Sequence, residues 1–283
     1  VTDDLPRRIY PPEGDVYVTP RYLAGSNGTG DAGFAPVAHW PHHDLDDGPC
    51  QLLVTSPDQR IRIGWYGDDF ELWKITASED TSAPTRWSAT FNHVTPAELV
   101  AGLTTALAQD WAEGNDRFLK RPSLYWRTGI QPLIDAGWSR KPSLPGEIEF
   151  LAPDGNAGVF IDVRTQAPDA ETIELWAGPP GWGTRAEARF TANTPAHLIA
   201  ATAAAFTDPT PALRYREHLS PWLAALAQLT PVIPAKPPAP TPLDIQRAQR
   251  RPPAITTRSV PRWSTSTRPP APAMPCAGRA ARR

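Results

Sequence analysis

"NTPAHLIAATAAAF" runs from Asn193 to Phe206, and "VTPAELVAGLTTAL" runs from Val94 to Leu107. The chain carries nearly the same phrase twice. In the earlier copy Thr95, Pro96 and Glu98 take the N-cap, N1 and N3 places of a helix. That is a capping box with proline at the first helical position, where its missing N–H costs nothing. In the later copy Thr194 and Pro195 repeat the pattern, with His197 at N3. Leu99, Val100, Leu103 and Leu107 then mark one helical face. Leu198, Ile199, Thr202 and Phe206 mark the same face at a single common offset. The spacing predicts two helices, ending near Ala108 and Thr207.

The match extends upstream of each helix. "RWSATF" (Arg86–Phe91) and "RAEARF" (Arg185–Phe190) alternate, with Trp87, Ala89 and Phe91, and Ala186, Ala188 and Phe190, on one side. Alternation of that kind marks a half-buried strand. "ELW" recurs at Glu71–Trp73 and Glu174–Trp176. "SPD" at Ser56–Asp58 answers "APD" at Ala152–Asp154, each with Pro and Asp placed for a tight turn. After the first turn Ile61, Ile63 and Trp65 read inward, and Arg60 and Arg62 outward. A short helical turn precedes each half, "TPRYLAG" (Thr19–Gly25) and "QPLIDAGW" (Gln131–Trp138). The expected fold is α+β: two pseudo-symmetric antiparallel ββββα repeats that pair with one another. A last helix is expected from Ser220 through Leu229. The organisation read this way is a flexible N-terminus over 1–13, a first repeat over 14–112 and a linker over 113–130. A second repeat with the C-terminal helix covers 131–230, and a disordered basic tail covers 231–283.

Composition separates the tail from the rest. Proline is 35 of 283 residues, more than twice the ordinary usage of about 5%, and it crowds the C-terminus. From Lys236 onward there are ten basic residues and one acid, Asp244, so the tail is +9 and the body −11 within a whole-chain charge of −2. Such a tail buries too little apolar surface to offset chain entropy, which predicts disorder. A basic tail can attract nucleic acid or any acidic surface, its own body included. Cys50 and Cys276 make no disulfide framework and no zinc-binding C-x-x-C pair. The N-terminal "VTDDLPRRIYPPEG" has no apolar signal region, and no stretch approaches the length of a membrane span. The expected location is the cytoplasm.

Several of these stretches carry a family resemblance. "VYVTPRYLAG", "LLVTSPDQRIRIGW", "RWSATFNHVTPAELVAGLTTALA", "PLIDAGW" and "ARFTANTPAHLIAATAAAFTDP" resemble an actinomycete, Streptomyces-type family, domain of unknown function 317, in two tandem copies. The resemblance spans roughly residues 14 to 230. It implies no catalytic residues, since the family brings none to carry over. The second half departs in its middle, where "RTQAPDAETIELWAGPPGWGT" replaces a shorter turn and a longer loop.

No G-x-S-x-G, Walker A or H-E-x-x-H pattern occurs. "HWPHHDLDDGPC" (His39–Cys50) offers His39, His42, His43, Asp44, Asp46 and Asp47 as metal ligands. Nothing fixes their geometry, and the second half has no counterpart, so the stretch reads first as an exposed polar loop. His197 and His93 read as residues of the helix caps, and Asp58 and Asp154 as turn residues. The Gly-rich "GSNGTGDAG" (Gly25–Gly33) reads as a flexible loop. Of the eleven tryptophans, most belong to the core by pattern, and Trp182 in "GPPGWGT" is the exposed candidate.

The expected role is a non-catalytic binding module for an unknown protein partner, with no cofactor, no bound metal and no membrane. A homodimer is left open. The alternative is single-stranded nucleic-acid binding on a duplicated sheet similar in topology to the Pur-alpha and whirly folds. Arg60, Arg62, Arg86, Arg185 and Arg189 would then face outward, with Trp182 or Trp73 stacking on bases. The acidic body counts against it, because phosphate contacts dominate such affinity. A metal-dependent enzyme using the His39–Asp47 loop is third.

Overall fold

The computed structural model describes residues 14–45, 48–123, 125–165 and 167–232. The expectations for 1–13, for Asp46 and Asp47, and for the tail from 233 lie outside the described residues. The chain is α+β. Its strands are β1 (Asp15–Thr19), β2 (His42–Asp44), β3 (Cys50–Thr55), β4 (Ile61–Tyr66), β5 (Trp73–Ser78), β6 (Thr85–Phe91), β7 (Ser139–Lys141), β8 (Glu147–Leu151), β9 (Ala157–Asp162), β10 (Glu171–Ala177), β11 (Ala186–Thr191), β12 (Ala212–Tyr215) and β13 (Gln228–Pro231). Its helices are α1 (Asp31–Phe34), α2 (Ala97–Glu113), α3 (Arg127–Asp135), α4 (Ala196–Thr207) and α5 (Pro221–Ala224). None of the described helices is long and apolar enough to cross a membrane.

Ten strands form one sheet in the order β2-β3-β4-β5-β6-β11-β10-β9-β8-β7. The two repeats are joined edge to edge: β6 pairs antiparallel with β11 through Ala89–Phe190, Thr90–Arg189 and Phe91–Ala188. Each repeat holds the four expected strands plus a short outer one, β2 or β7. The two halves share a strand-pairing pattern. Ile75 faces Ala89 in the first and Leu175 faces Ala188 in the second. Likewise Ile63 faces Ile75, and Val159 faces Leu175.

The helical stripes read from sequence are buried: Leu99, Val100, Leu103 and Leu107 on α2, and Leu198, Ile199, Thr202 and Phe206 on α4. They pack with the inward residues of the sheet in one core. α2 runs past Ala108 to Glu113 and stops at Gly114, whose φ of 62° suits a glycine C-cap. The two helices meet at Gly102. A Cβ there would come within 2.8 Å of the Ala201 carbonyl oxygen and of Ala205 Cβ, so only glycine permits this approach. Asp110, buried at the end of α2, accepts a 2.6 Å hydrogen bond from His197 Nε2 at the start of α4.

Several expectations are corrected. The capping box does not form. Pro96 and Pro195 take the N-cap places, and neither helix has a side-chain cap. Thr95 instead faces the seam between the repeats, and Glu98 is held by Arg214. The "ELW" recurrence is not a structural match either. Trp73 faces Phe91 and is buried, whereas Ile173 faces Phe190 in the second repeat. Trp176 lies an odd number of residues out of register, which on a period-two strand turns it to the opposite face. There it faces Gly158, and the Arg185 guanidinium stacks on it at 4.1 Å.

The last expected helix is one turn long, and Gln228–Pro231 returns as β13 in a second sheet, β12-β1-β13. The span read as a linker, 113–130, contains regular elements among its described residues. It holds a 3-10 turn, Arg117–Leu119, that buries Phe118, and α3 begins at Arg127. In the Gly-rich loop residues 31–34 are helical. Gly33 is required because a Cβ there would meet the Trp73 ring at 2.6 Å.

Gly102→Val should force α2 and α4 apart and destabilise the fold by about 1–3 kcal/mol. Urea unfolding of wild type and variant measures it. An unchanged midpoint would show that the helix contact does not carry the junction.

Candidate functional site

The seam is built by side chains at and just past the ends of β6 and β11. Asn92 Oδ1 accepts from the Thr95 N–H (3.2 Å) and the Glu187 N–H (3.2 Å), while Asn92 Nδ2 donates to the Arg185 carbonyl at 2.8 Å. Thr95 Oγ1 lies 2.9 Å from Asn92 Oδ1 and 3.0 Å from the Glu187 carbonyl. The second repeat places Thr191 where the first has Asn92. Thr191 Oγ1 accepts from the Ser88 N–H at 2.9 Å and donates to the Ser88 carbonyl at 3.2 Å.

Near each helix start a cleft opens, and register relates the two. In the first repeat Trp65 faces Trp73 across β4 and β5. In the second Ile161 faces Ile173 across β9 and β10. The first cleft, about 570 Å³, is lined by Trp65, Leu72, His93, Gly183, His218 and Leu223 and bordered by the loop Gly25–Gly28. The second, about 340 Å³, is lined by Tyr125, Trp126, Ile161, Ile173, Thr194 and Ile199.

The first cleft draws on both repeats. His93 follows β6, Gly183 belongs to the β10–β11 loop, and Leu223 is on α5. His93 Nδ1 donates to the Asp69 carbonyl at 2.6 Å, which leaves Nε2 as the other ring nitrogen. Beside it Trp182 and Phe70 are exposed, at 70% and 64%, and their ring centroids are 6.3 Å apart. Trp182 also lies 6.4 Å from the His93 ring. Sequence reading found Trp182 through its Gly and Pro neighbours. It missed Phe70, which sits in a turn closed by Asp68 Oδ1 accepting from the Phe70 N–H at 2.7 Å.

One largely buried ion pair anchors the Gly25 loop that borders this cleft. Arg214 on β12 donates two 2.7 Å hydrogen bonds to Glu98, one to each carboxylate oxygen. It also donates to the Gly25 carbonyl from Nε at 3.1 Å and from Nη2 at 3.0 Å. Burial pushes the Glu98 carboxyl up, but the hydrogen bonds and charge of Arg214 outweigh it and hold Glu98 below its ordinary 4.5. Tyr22, in the turn after β1, donates its phenol to Asp154 Oδ2 in the second repeat's β8–β9 turn at 2.7 Å, and burial raises the phenol pKa.

The arginines read as outward are engaged within the chain. Arg60 donates to Asp58 and Asp116, each at 2.7 Å, and lies 5.1 Å from the Phe118 ring. It belongs to the turn before β4, where strand alternation does not fix direction, and it reaches the 3-10 turn of 117–119. Arg62 donates to the Thr81 carbonyl at 2.8 Å, and Arg86 to Glu79 at 2.9 Å. Arg189 donates to Glu187 at 2.6 Å and lies 3.6 Å from Glu174 and 3.7 Å from Glu171. Burial pushes the Glu174 carboxyl up against the pull of Arg189. Trp73, expected to stack on bases, is enclosed in the core.

The histidines of the metal candidate do not converge. His42 and His43 are successive residues of β2 and so point to opposite faces. His42 Nδ1 donates to the Trp40 carbonyl at 2.6 Å, and His43 lies 3.5 Å from Thr55 Oγ1. Among the described residues, which include His39 and Asp44, no group of three or more His, Cys, Asp or Glu side chains is placed to hold a metal ion.

Arg214→Met leaves Glu98 as an unpaired, mostly buried charge and should cost about 3 kcal/mol at neutral pH. The Glu98 pair adds stability in full above pH 4.5, its unfolded value, and loses it as pH falls through the lower folded value. The stability difference between wild type and Glu98→Gln should therefore shrink as pH drops below 4.5. Denaturant titrations over that range check it, and a constant difference would contradict it.

No curated protein matches the chain. Two solved structures are similar to it. The di-domain ARO/CYC StfQ from the steffimycin biosynthetic pathway is 15% identical, covers 63% of this chain and 84% of its own, with a TM-score of 0.14. The di-domain ARO/CYC BexL from the BE-7585A biosynthetic pathway is 13% identical, covers 69% and 90%, with a TM-score of 0.14. At those scores neither bears on fold or function. The family match lies elsewhere, over the end of β3 through most of α2: residues 55–111 fit the model described as SPDY, domain of unknown function (DUF317), which supports a member of that family.

Proposed function

We propose that this chain is a non-catalytic binding module that takes a segment of a protein partner at the first cleft. The observation that carries the reading is the pair of largely exposed rings, Phe70 and Trp182, that stands beside the cleft next to His93. Large aromatic side chains held in water are costly unless something covers them, and such residues anchor protein interfaces. The cleft falls within the usual range for ligand sites, about 300–1,000 Å³. The same reading makes the second half a further copy of the family unit, in an actinomycete cytoplasm. The shared strand register of the two halves supports the tandem copy. Single-stranded nucleic acid is the weaker reading, because Arg60, Arg86 and Arg189 each face carboxylates of the chain itself, and an engaged arginine has less charge to offer a phosphate.

A random peptide display panned on the full chain tests this. The expected result is a set of peptides sharing an apolar anchor, whose affinity falls at least about tenfold for Trp182→Ala and for Phe70→Ala. Failure to enrich any peptide, or equal binding by both variants, would reject the proposal. Tight, salt-sensitive binding of a labelled single-stranded oligonucleotide would install the nucleic-acid reading in its place.

A further inference from the structure

The first cleft sets ring faces beside hydrogen-bond acceptors. Phe70 and Trp182 stand next to it with ring centroids 6.3 Å apart, and the His93 ring lies 6.4 Å from Trp182. His93 Nδ1 gives its proton to the Asp69 carbonyl, so Nε2 of the neutral ring carries a lone pair and no hydrogen. A Cβ built on Gly183 would lie 3.9 Å from Nε2, and both residues line the cleft, which puts this lone pair at its wall.

Two carboxylates adjoin Phe70. Asp68 and Asp69 precede it in the chain and are exposed. Asp68 Oδ1 accepts the Phe70 N–H at 2.7 Å, so that carboxylate is held in the ring's own turn. The cations nearest in sequence are committed elsewhere. Lys74 lies 3.2 Å from Glu71, and the Arg185 guanidinium stacks on Trp176 at 4.1 Å. Arg216 and Glu217, which precede His218 of the lining, cancel in formal charge. Among the described residues no ion pair reaches Asp68 or Asp69.

The face of an aromatic ring is negative and attracts a cation. Exposed rings beside unpaired carboxylates therefore favour a positive partner, and an acidic one would meet like charge. A wholly apolar partner would leave the Nε2 lone pair without a donor.

We propose that the partner segment taken at the first cleft is basic. An arginine or lysine side chain lies on the faces of Phe70 and Trp182 beside the Asp68 and Asp69 carboxylates, and a donor of the same segment meets His93 Nε2. This rests on the reading of that cleft as a peptide site and adds the chemistry of its partner.

Peptides enriched by panning on the full chain are resynthesised in pairs, with arginine replaced by citrulline, its neutral isostere, or lysine by acetyl-lysine. The enriched peptides should carry a basic residue close to the apolar anchor. The neutral member of each pair should bind about fivefold more weakly, the worth of one exposed cation–π contact with a screened ion pair. Asp68→Asn keeps an oxygen that can accept the Phe70 N–H, so the turn survives while the charge goes. With Asp68→Asn and Asp69→Asn combined, the preference for the charged peptide should fall to about twofold while the neutral peptide binds as before. Phe70→Leu should narrow the preference too, because leucine keeps an apolar surface without a ring face. Enriched peptides without a basic residue, equal binding of the charged and neutral members, or a preference unchanged in the doubly substituted chain would overturn the inference and leave the peptide site standing. Failure to enrich any peptide would remove both.

Discussion

The pairing of β6 with β11 decides where everything else lies. Each repeat alone would end in a strand with one unpaired rim, and an unpaired rim invites association. Here the two rims satisfy each other along three residue pairs. Asn92, Thr95 and Thr191 extend the bonding beyond those pairs with side-chain hydrogen bonds. The result is one ten-stranded sheet. The helix that follows each seam strand is thereby brought beside its counterpart, and Gly102 supplies the clearance their contact needs.

The frame is symmetric in register but not in chemistry. Asn92 can receive two N–H groups and still give a hydrogen bond, while Thr191 in the matching place engages Ser88 alone. Trp65 and Trp73 pack edge to face at 4.7 Å in one repeat, where isoleucines stand in the other. A duplicated scaffold can hold two unlike clefts in this way, because strand pairing uses the backbone and leaves the side chains free to diverge. The loop that carries Trp182 adds to the difference, since it reaches from the second repeat to the first repeat's cleft.

The acidic balance of the body has a structural counterpart. Arg60, Arg86 and Arg189 each meet at least one carboxylate, and the buried Arg214 meets the half-buried Glu98. The exposed pairs contribute little to stability. Arg214 differs because it ties the three-stranded sheet to α2 and to the Gly25 carbonyl in a single side chain.

The sequence by itself determined the α+β class, the recurrence of a strand-and-helix pattern and the buried faces of α2 and α4, because local periodicity reports which residues need burial. It located the turns at Asp58 and Asp154 for a similarly local reason. It did not determine the partner of any group that reaches across the chain. Glu98 reads as a capping residue until Arg214 is brought to it from far along the chain. "ELW" reads as a repeat until strand pairing shows Trp73 inside and Trp176 outside. Gln228–Pro231 reads as the end of a helix until β1 offers it a strand to join. Only the tertiary structure decided these, because a hydrogen-bonding group takes whichever partner the fold brings near, and that partner is not written in its own neighbourhood.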